Sequence, residues 1–178
     1  MNLADLALIA SLLSSVAVLV SLLFVGLQIR QSNRNQRSLM QQGRSARNVD
    51  LLSRLTDPKL SELLLRALRG ETATDSEYLV LYGYIASVFW SYEDSFLQFR
   101  SGTLDARSWS SDVATLKRLL KNPVYRAIWR AAREAMATEY QSFIDGVVTD
   151  ARQNIPVDVP NVLRQYIAEE RNAVTKSS

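Results

Sequence analysis

LIASLLSSVAVLVSLLFVGLQIRQSNRNQR, residues 8–37, changes character at Ile29, and its reading decides the fold. From Leu6 to Ile29 there are 24 residues without a charge; from Arg30 to Arg37 arginines recur every three or four positions. At about 1.5 Å of rise per residue, 24 residues reach roughly 36 Å, enough to span a hydrocarbon core of about 30 Å with some tilt. A cleavable signal would begin with a basic region, carry a shorter apolar core and end at a small-residue cleavage site. This stretch instead follows Asp5, with no Lys or Arg before it. The spacing therefore predicts a transmembrane anchor over residues 1–30.

Charge fixes the expected orientation. Arg30, Arg34, Arg37, Arg44 and Arg47 lie downstream of the apolar run and none lies upstream. The positive-inside rule then puts the N-terminal end outside and the C-terminal part in the cytoplasm, against the inner membrane. Arg30, Arg34 and Arg37 are the expected lipid-headgroup contacts, each worth about 1 kcal/mol near an anionic surface. The same arginines explain the net charge of +3. Residues 48–178 hold 16 basic and 17 acidic side chains, a net −1, so the folded part lacks the basic patch of a nucleic-acid binder.

One face of the anchor is built from small side chains. Ala7, Ala10, Ser14, Ala17 and Ser21 follow one another at alternate steps of three and four, and Phe24, Gln28, Gln31, Asn35, Ser38 and Gln42 continue the step. Small residues at this period let helix backbones approach closely, the usual way that membrane helices pack. The expected partners are thus membrane lipids and either a second copy or another integral membrane protein. A pore lined by Ser14, Ser21 and Gln28 is the sharper version of the same pattern.

Beyond Arg30 nothing stops the helix before Thr56-Asp57-Pro58, so residues 31–56 are expected to form a basic juxtamembrane helix continuous with the anchor. Asp57-Pro58 opens the next helix, which ends at Gly70. Further helices are expected from Asp75 or Ser76 to Arg100, Asp105 to Lys121, 124–136 and 138–152. A rigid Pro156–Pro160 loop and a last helix carrying Val162, Leu163, Tyr166 and Ile167 complete residues 156–178. No stretch alternates with period two. The fold class is all-α: an anchor, a long juxtamembrane helix, and a cytoplasmic bundle of five to six helices over 57–155.

YGYIASVFWSYEDSFLQF, residues 82–99, is the aromatic heart of that bundle. The uncharged run Tyr78–Tyr92 is 15 residues, short of the roughly 20 that a span needs. Apolar all round, it reads as the central helix, with Trp109 and Trp129 packed on it. Glu93 and Asp94 follow directly. Adjacent carboxylates on a helix point about 100° apart, and the chain contains neither His nor Cys. No metal site, thiol nucleophile or imidazole base is therefore expected, and no cofactor. Glu93 is expected in a structural ion pair with Arg100, Arg126, Arg130 or Arg133; a carboxylate-based membrane enzyme using Glu93 or Asp94 is the least supported alternative.

VGLQIRQSNRNQR, DPKL, YEDSFLQFRSGTLD and the later W…LLKNPVYRAIWR together resemble a widespread group of uncharacterised bacterial single-pass membrane proteins. In that group an N-terminal helix ending in a Leu-x-Gln-Ile-Arg-Gln-type sequence precedes a cytoplasmic helical domain. The likeness covers most of residues 6–145. It implies a bacterial origin, an N-terminal anchor and a tight helix–helix turn at Phe99, Arg100, Gly102, Leu104 and Asp105, and it implies no activity. The expectation is a non-enzymatic protein acting by assembly, as a homo-oligomer or an accessory subunit; a homo-oligomeric channel or sensor is the alternative.

Overall fold

The computed structural model describes residues 3–156 and 158–176, and among them the only regular structure is helical. The chain divides into two compact units, Met1–Ala46 and Arg47–Ser178. The first is helical throughout its described part and belongs to α1, Leu3–Arg54. The side chains of Ala7, Ala10, Arg34 and Arg37 lie outside the described residues.

Leu13–Ser32, 20 residues of α1, is long and apolar enough to cross a membrane, and none of it is buried by protein. Ser15 and Ser21 donate their hydroxyls to the carbonyls of Ser11 and Ala17 at 2.9 and 2.8 Å. Each hydroxyl is thus satisfied within its own helix, which lowers the cost of placing it in a hydrocarbon environment.

In the second unit, short-range chemistry sets most of the helix boundaries. α2, Pro58–Leu68, starts with Asp57 accepting from the Lys59 N–H and with Pro58 in the first turn. It ends at Gly70, whose φ of +80° lets the Glu71 and Gly70 N–H groups return to the Arg66 and Ala67 carbonyls. α3, Asp75–Arg100, is opened by Thr74 in a reciprocal capping box with Glu77. α4, Ala106–Leu120, is capped by Asp105, and α5, Pro123–Ala132, by Asn122. A single 3₁₀ turn at Arg133–Ala135 separates α5 from α6, Thr138–Ala151. α7, Val159–Lys176, begins earlier than the sequence suggests. Pro160 lies in its first turn rather than in a rigid loop, because Asp158 accepts from the Asn161 N–H and a helix start tolerates proline.

The core is formed by α2–α6. Leu81, Ile85 and Phe89 of α3, Leu116 and Leu120 of α4, Trp129 of α5, and Tyr140 and Ile144 of α6 are the largest fully buried side chains. Burial of each such side chain contributes about 1.5–3 kcal/mol before entropy is counted. Phe96 gathers Trp109, Tyr140 and Phe143 at ring separations of 5.8, 5.5 and 5.5 Å, and Phe89 meets Trp129 at 5.1 Å. Both tryptophans thus pack on α3, as its sequence predicts.

The expectation that α3 is apolar because it is buried all round is corrected. Its inner face, from Leu81 to Phe96, is in the core, but Leu79, Val80, Trp90 and Leu97 are exposed. α3 packs against α2, α4 and α5 and keeps one face uncovered.

Candidate functional site

Two regions answer to the residues that the sequence singles out: the outer face of α1, and the junction of α3 with α4 and α6.

On α1, the described members of the small-residue face, Ser14, Ala17 and Ser21, are exposed, as is Arg30. The apolar side chains that surround them are exposed too, among them Leu19, Leu23 and Phe24. Water is a poor solvent for such a surface, and removing it into lipid or against another helix is worth about 25 cal/mol per Å². The far end of α1 belongs to the second unit. There Arg47 forms an ion pair with Asp94 of α3, the Tyr84 hydroxyl donates weakly to the Leu51 carbonyl at 3.5 Å, and Leu55, just past the helix, packs against the core. Burial raises Tyr84 above the usual phenol range, so this donor keeps its proton at any physiological pH.

At the second region, Glu93 departs from its expected role. Its carboxylate accepts a 2.6 Å hydrogen bond from the Ala137 N–H. Ala137 precedes α6 and has no side chain to cap with, so an acid from α3 supplies the acceptor that a capping box normally supplies locally. Three of the four arginines expected to pair with Glu93 are engaged elsewhere. Arg100 reaches Glu139 at 3.2 Å on the surface, and Arg126 donates to the Leu120 and Lys121 carbonyls at the end of α4. Arg133 bridges Glu134 and Asp145 at 2.7 and 2.6 Å, while Arg130 is exposed. Their spacing in sequence brings none of them to Glu93, because α5 approaches α3 with Trp129, not with its arginine face.

The turn that follows α3 is assembled as its residues predict. Gly102, at φ +74°, allows the Thr103 and Gly102 N–H groups to return to the Gln98 and Phe99 carbonyls, and Leu104 is buried beneath. Asp105 then accepts from the Arg107 and Ser108 N–H groups, both at 3.0 Å, and from the Ser108 hydroxyl at 2.7 Å. The Ser108 hydroxyl first, and then the backbone N–H groups, hold the Asp105 carboxyl below its usual range. Arg100, Gly102 and Asp105 thus serve the geometry of this turn and its surface.

Two polar residues of this region escaped the sequence reading. Asp112 of α4 is buried, and Tyr140 of α6 is fully buried with its hydroxyl donating to the Phe89 carbonyl at 3.1 Å. Burial, and then the nearby Glu93 carboxylate, push Tyr140 far above the usual phenol range. A phenol held protonated in this way is a hydrogen-bond donor rather than a base. Among the described residues no group of three or more acidic side chains is placed to hold a metal ion. The arrangement around Glu93 does one thing chemically: it fixes the start of α6 against α3. No family model, curated protein or solved structure matches this chain.

Proposed function

We propose that this is a single-pass membrane protein that acts by assembly, as a homo-oligomer or as an accessory subunit of a larger membrane complex. α1 is both its anchor and its docking helix, and the α2–α7 unit lies on the cytoplasmic side of the inner membrane. The observation that carries the reading is the 20-residue Leu13–Ser32 segment, apolar enough on average to cross a membrane and buried nowhere by the protein's own fold. Lipid is the solvent that such a surface fits. The one-sided distribution of arginines supports the orientation, since Arg30, Arg34 and Arg37 follow the span and no base precedes it. The small-residue face supports helix–helix docking within the bilayer. A non-enzymatic role is supported by the way Glu93, Asp94 and Tyr140 are committed to Ala137, Arg47 and Phe89.

Alkaline carbonate extraction together with protease protection tests this reading. The expected result is retention of the full chain in the membrane pellet. The helical unit should be cleaved in inverted vesicles and protected in intact spheroplasts. Release by carbonate, or cleavage in intact spheroplasts, would sink it.

A further inference from the structure

The reading of α1 as a docking helix names no partner. Its cytoplasmic half carries that argument further. The alternate three-and-four step that places small residues along the membrane span does not stop at Gln42: Ser45, Val49 and Leu52 prolong it in the same register. A hydrophobic or small-residue period of 3.5 sustained over several heptads is the pattern of helices that supercoil around one another.

The second observation is which face of α1 the bundle uses. Arg47 pairs with Asp94 of α3, and the Leu51 carbonyl accepts from Tyr84 of the same helix. On a helix these positions lie opposite Ser45, Val49 and Leu52. Val49 and Leu52 remain 66% and 65% exposed, although their neighbours at Leu51 and Leu55 are partly covered. From Arg47 to the end of α1 the bundle therefore contacts the back of the helix and leaves Val49 and Leu52 open.

Charge placement selects the occupant. With Asn35, Gln42 and Val49 as one set of seam positions and Ser38, Ser45 and Leu52 as the other, the flanking positions hold Leu39, Gln41, Ala46, Asn48 and Ser53. None of these is charged. Arg30, Arg37, Arg44, Arg47 and Arg54 all fall at outer positions, and Arg34 is the one arginine beside the seam. An acidic partner helix would be held by bases at the flanks, where interhelical ion pairs form. A second copy brings the same arginines, and it is tolerated only if they are turned outward.

We propose that α1 pairs in parallel with α1 of a second copy, along a seam through Asn35, Ser38, Gln42, Ser45, Val49 and Leu52. This rests on the reading of α1 as a membrane anchor that docks. Two copies anchored in one membrane meet at a high effective concentration, so a short apolar contact at Val49 and Leu52 suffices to close the seam.

The chain has no cysteine, so single-cysteine variants report on the seam directly. Ser45→Cys lies on the seam, and Gly43→Cys lies off it at a position where an added Cβ meets nothing within 4 Å. Full-length variants in native membranes are oxidised with copper phenanthroline, and the wild-type mass is measured in lipid nanodiscs. The expected result is disulfide-linked dimer at Ser45→Cys at least about tenfold faster than at Gly43→Cys, with a nanodisc mass that is a multiple of one chain. Equal rates at the two positions, or no dimer at Ser45→Cys, overturn the proposal. A mass with unlike subunits and no Ser45→Cys dimer also overturns it, yet leaves the docking reading standing. A monomeric mass without any cross-link removes both.

Discussion

Tyr140 of α6 donates its hydroxyl to the Phe89 carbonyl of α3 across 3.1 Å, in the fully buried centre of the bundle. The bond does two things. It satisfies a polar group that burial would otherwise penalise, and it fixes the height at which α6 crosses α3. Tyr140→Phe keeps the ring contacts with Phe96 and Trp129 but removes the donor. The expected loss is about 1 kcal/mol, the net worth of one hydrogen bond. Tyr140→Ala also leaves a cavity and is expected to cost about 3–5 kcal/mol. Urea unfolding of the full-length protein in detergent, followed by circular dichroism, measures both.

Glu93 provides an independent test of the same junction. Because its carboxylate stands in for a missing cap at Ala137, Glu93→Ala is expected to cost about 1 kcal/mol, the range of a lost helix cap. Glu93→Gln keeps an acceptor oxygen and is expected to lose less. Hydrogen exchange should localise the effect, with faster exchange over residues 137–141 and little change in α2. Uniformly faster exchange across the bundle would show that Glu93 has a different role.

Asp105 predicts a pH dependence whose sign follows from its environment. Its carboxyl is held below the ordinary value of 3.8 by the Ser108 hydroxyl and by the N–H groups at the start of α4. A depressed folded-state pKa stabilises the fold above the unfolded value, and the contribution is lost as pH falls through the folded one. The stability difference between wild type and Asp105→Ala should therefore be constant at neutral pH and shrink below about pH 3.8. A difference that grows on acidification would contradict the capping geometry.

The boundaries of the fold were legible because they are written in local chemistry. Asp57-Pro58, Gly70, Gly102 with Asp105, and Asn122-Pro123 each stop or start a helix through contacts a few residues long, and the helices begin and end beside them. The membrane-length span in α1 was legible from length and charge alone. Long-range pairing was not. Glu93 and Ala137 lie 44 residues apart, and nothing in the spacing of arginines marks a backbone N–H as the true partner. The exposed side of α3 was hidden for a related reason: an aromatic run of period near one has no polar face to show which side the bundle leaves open. Pro160 could have been placed, since Asp158 two residues before it is a helix-start signature.

Two glycines on α3 and its terminal turn should respond to the same substitution with opposite signs. Gly102 sits at φ +74°, where an L side chain is strained even though an added Cβ would meet nothing within 4 Å. Gly102→Ala is expected to destabilise by about 1–2 kcal/mol, the cost of a left-handed conformation for a residue with a Cβ. Gly83 lies inside α3 with ordinary helical dihedrals, and its Cβ position is equally open. There alanine removes only the conformational freedom of the unfolded chain, so Gly83→Ala is expected to stabilise by about 0.5–1 kcal/mol. Since neither change alters packing, the pair separates backbone conformation from side-chain contact. If Gly83→Ala instead destabilises the full-length protein, the open face of α3 must be covered by something that needs the bare backbone, and the exposed Leu79, Trp90 and Leu97 beside it would be the place to look.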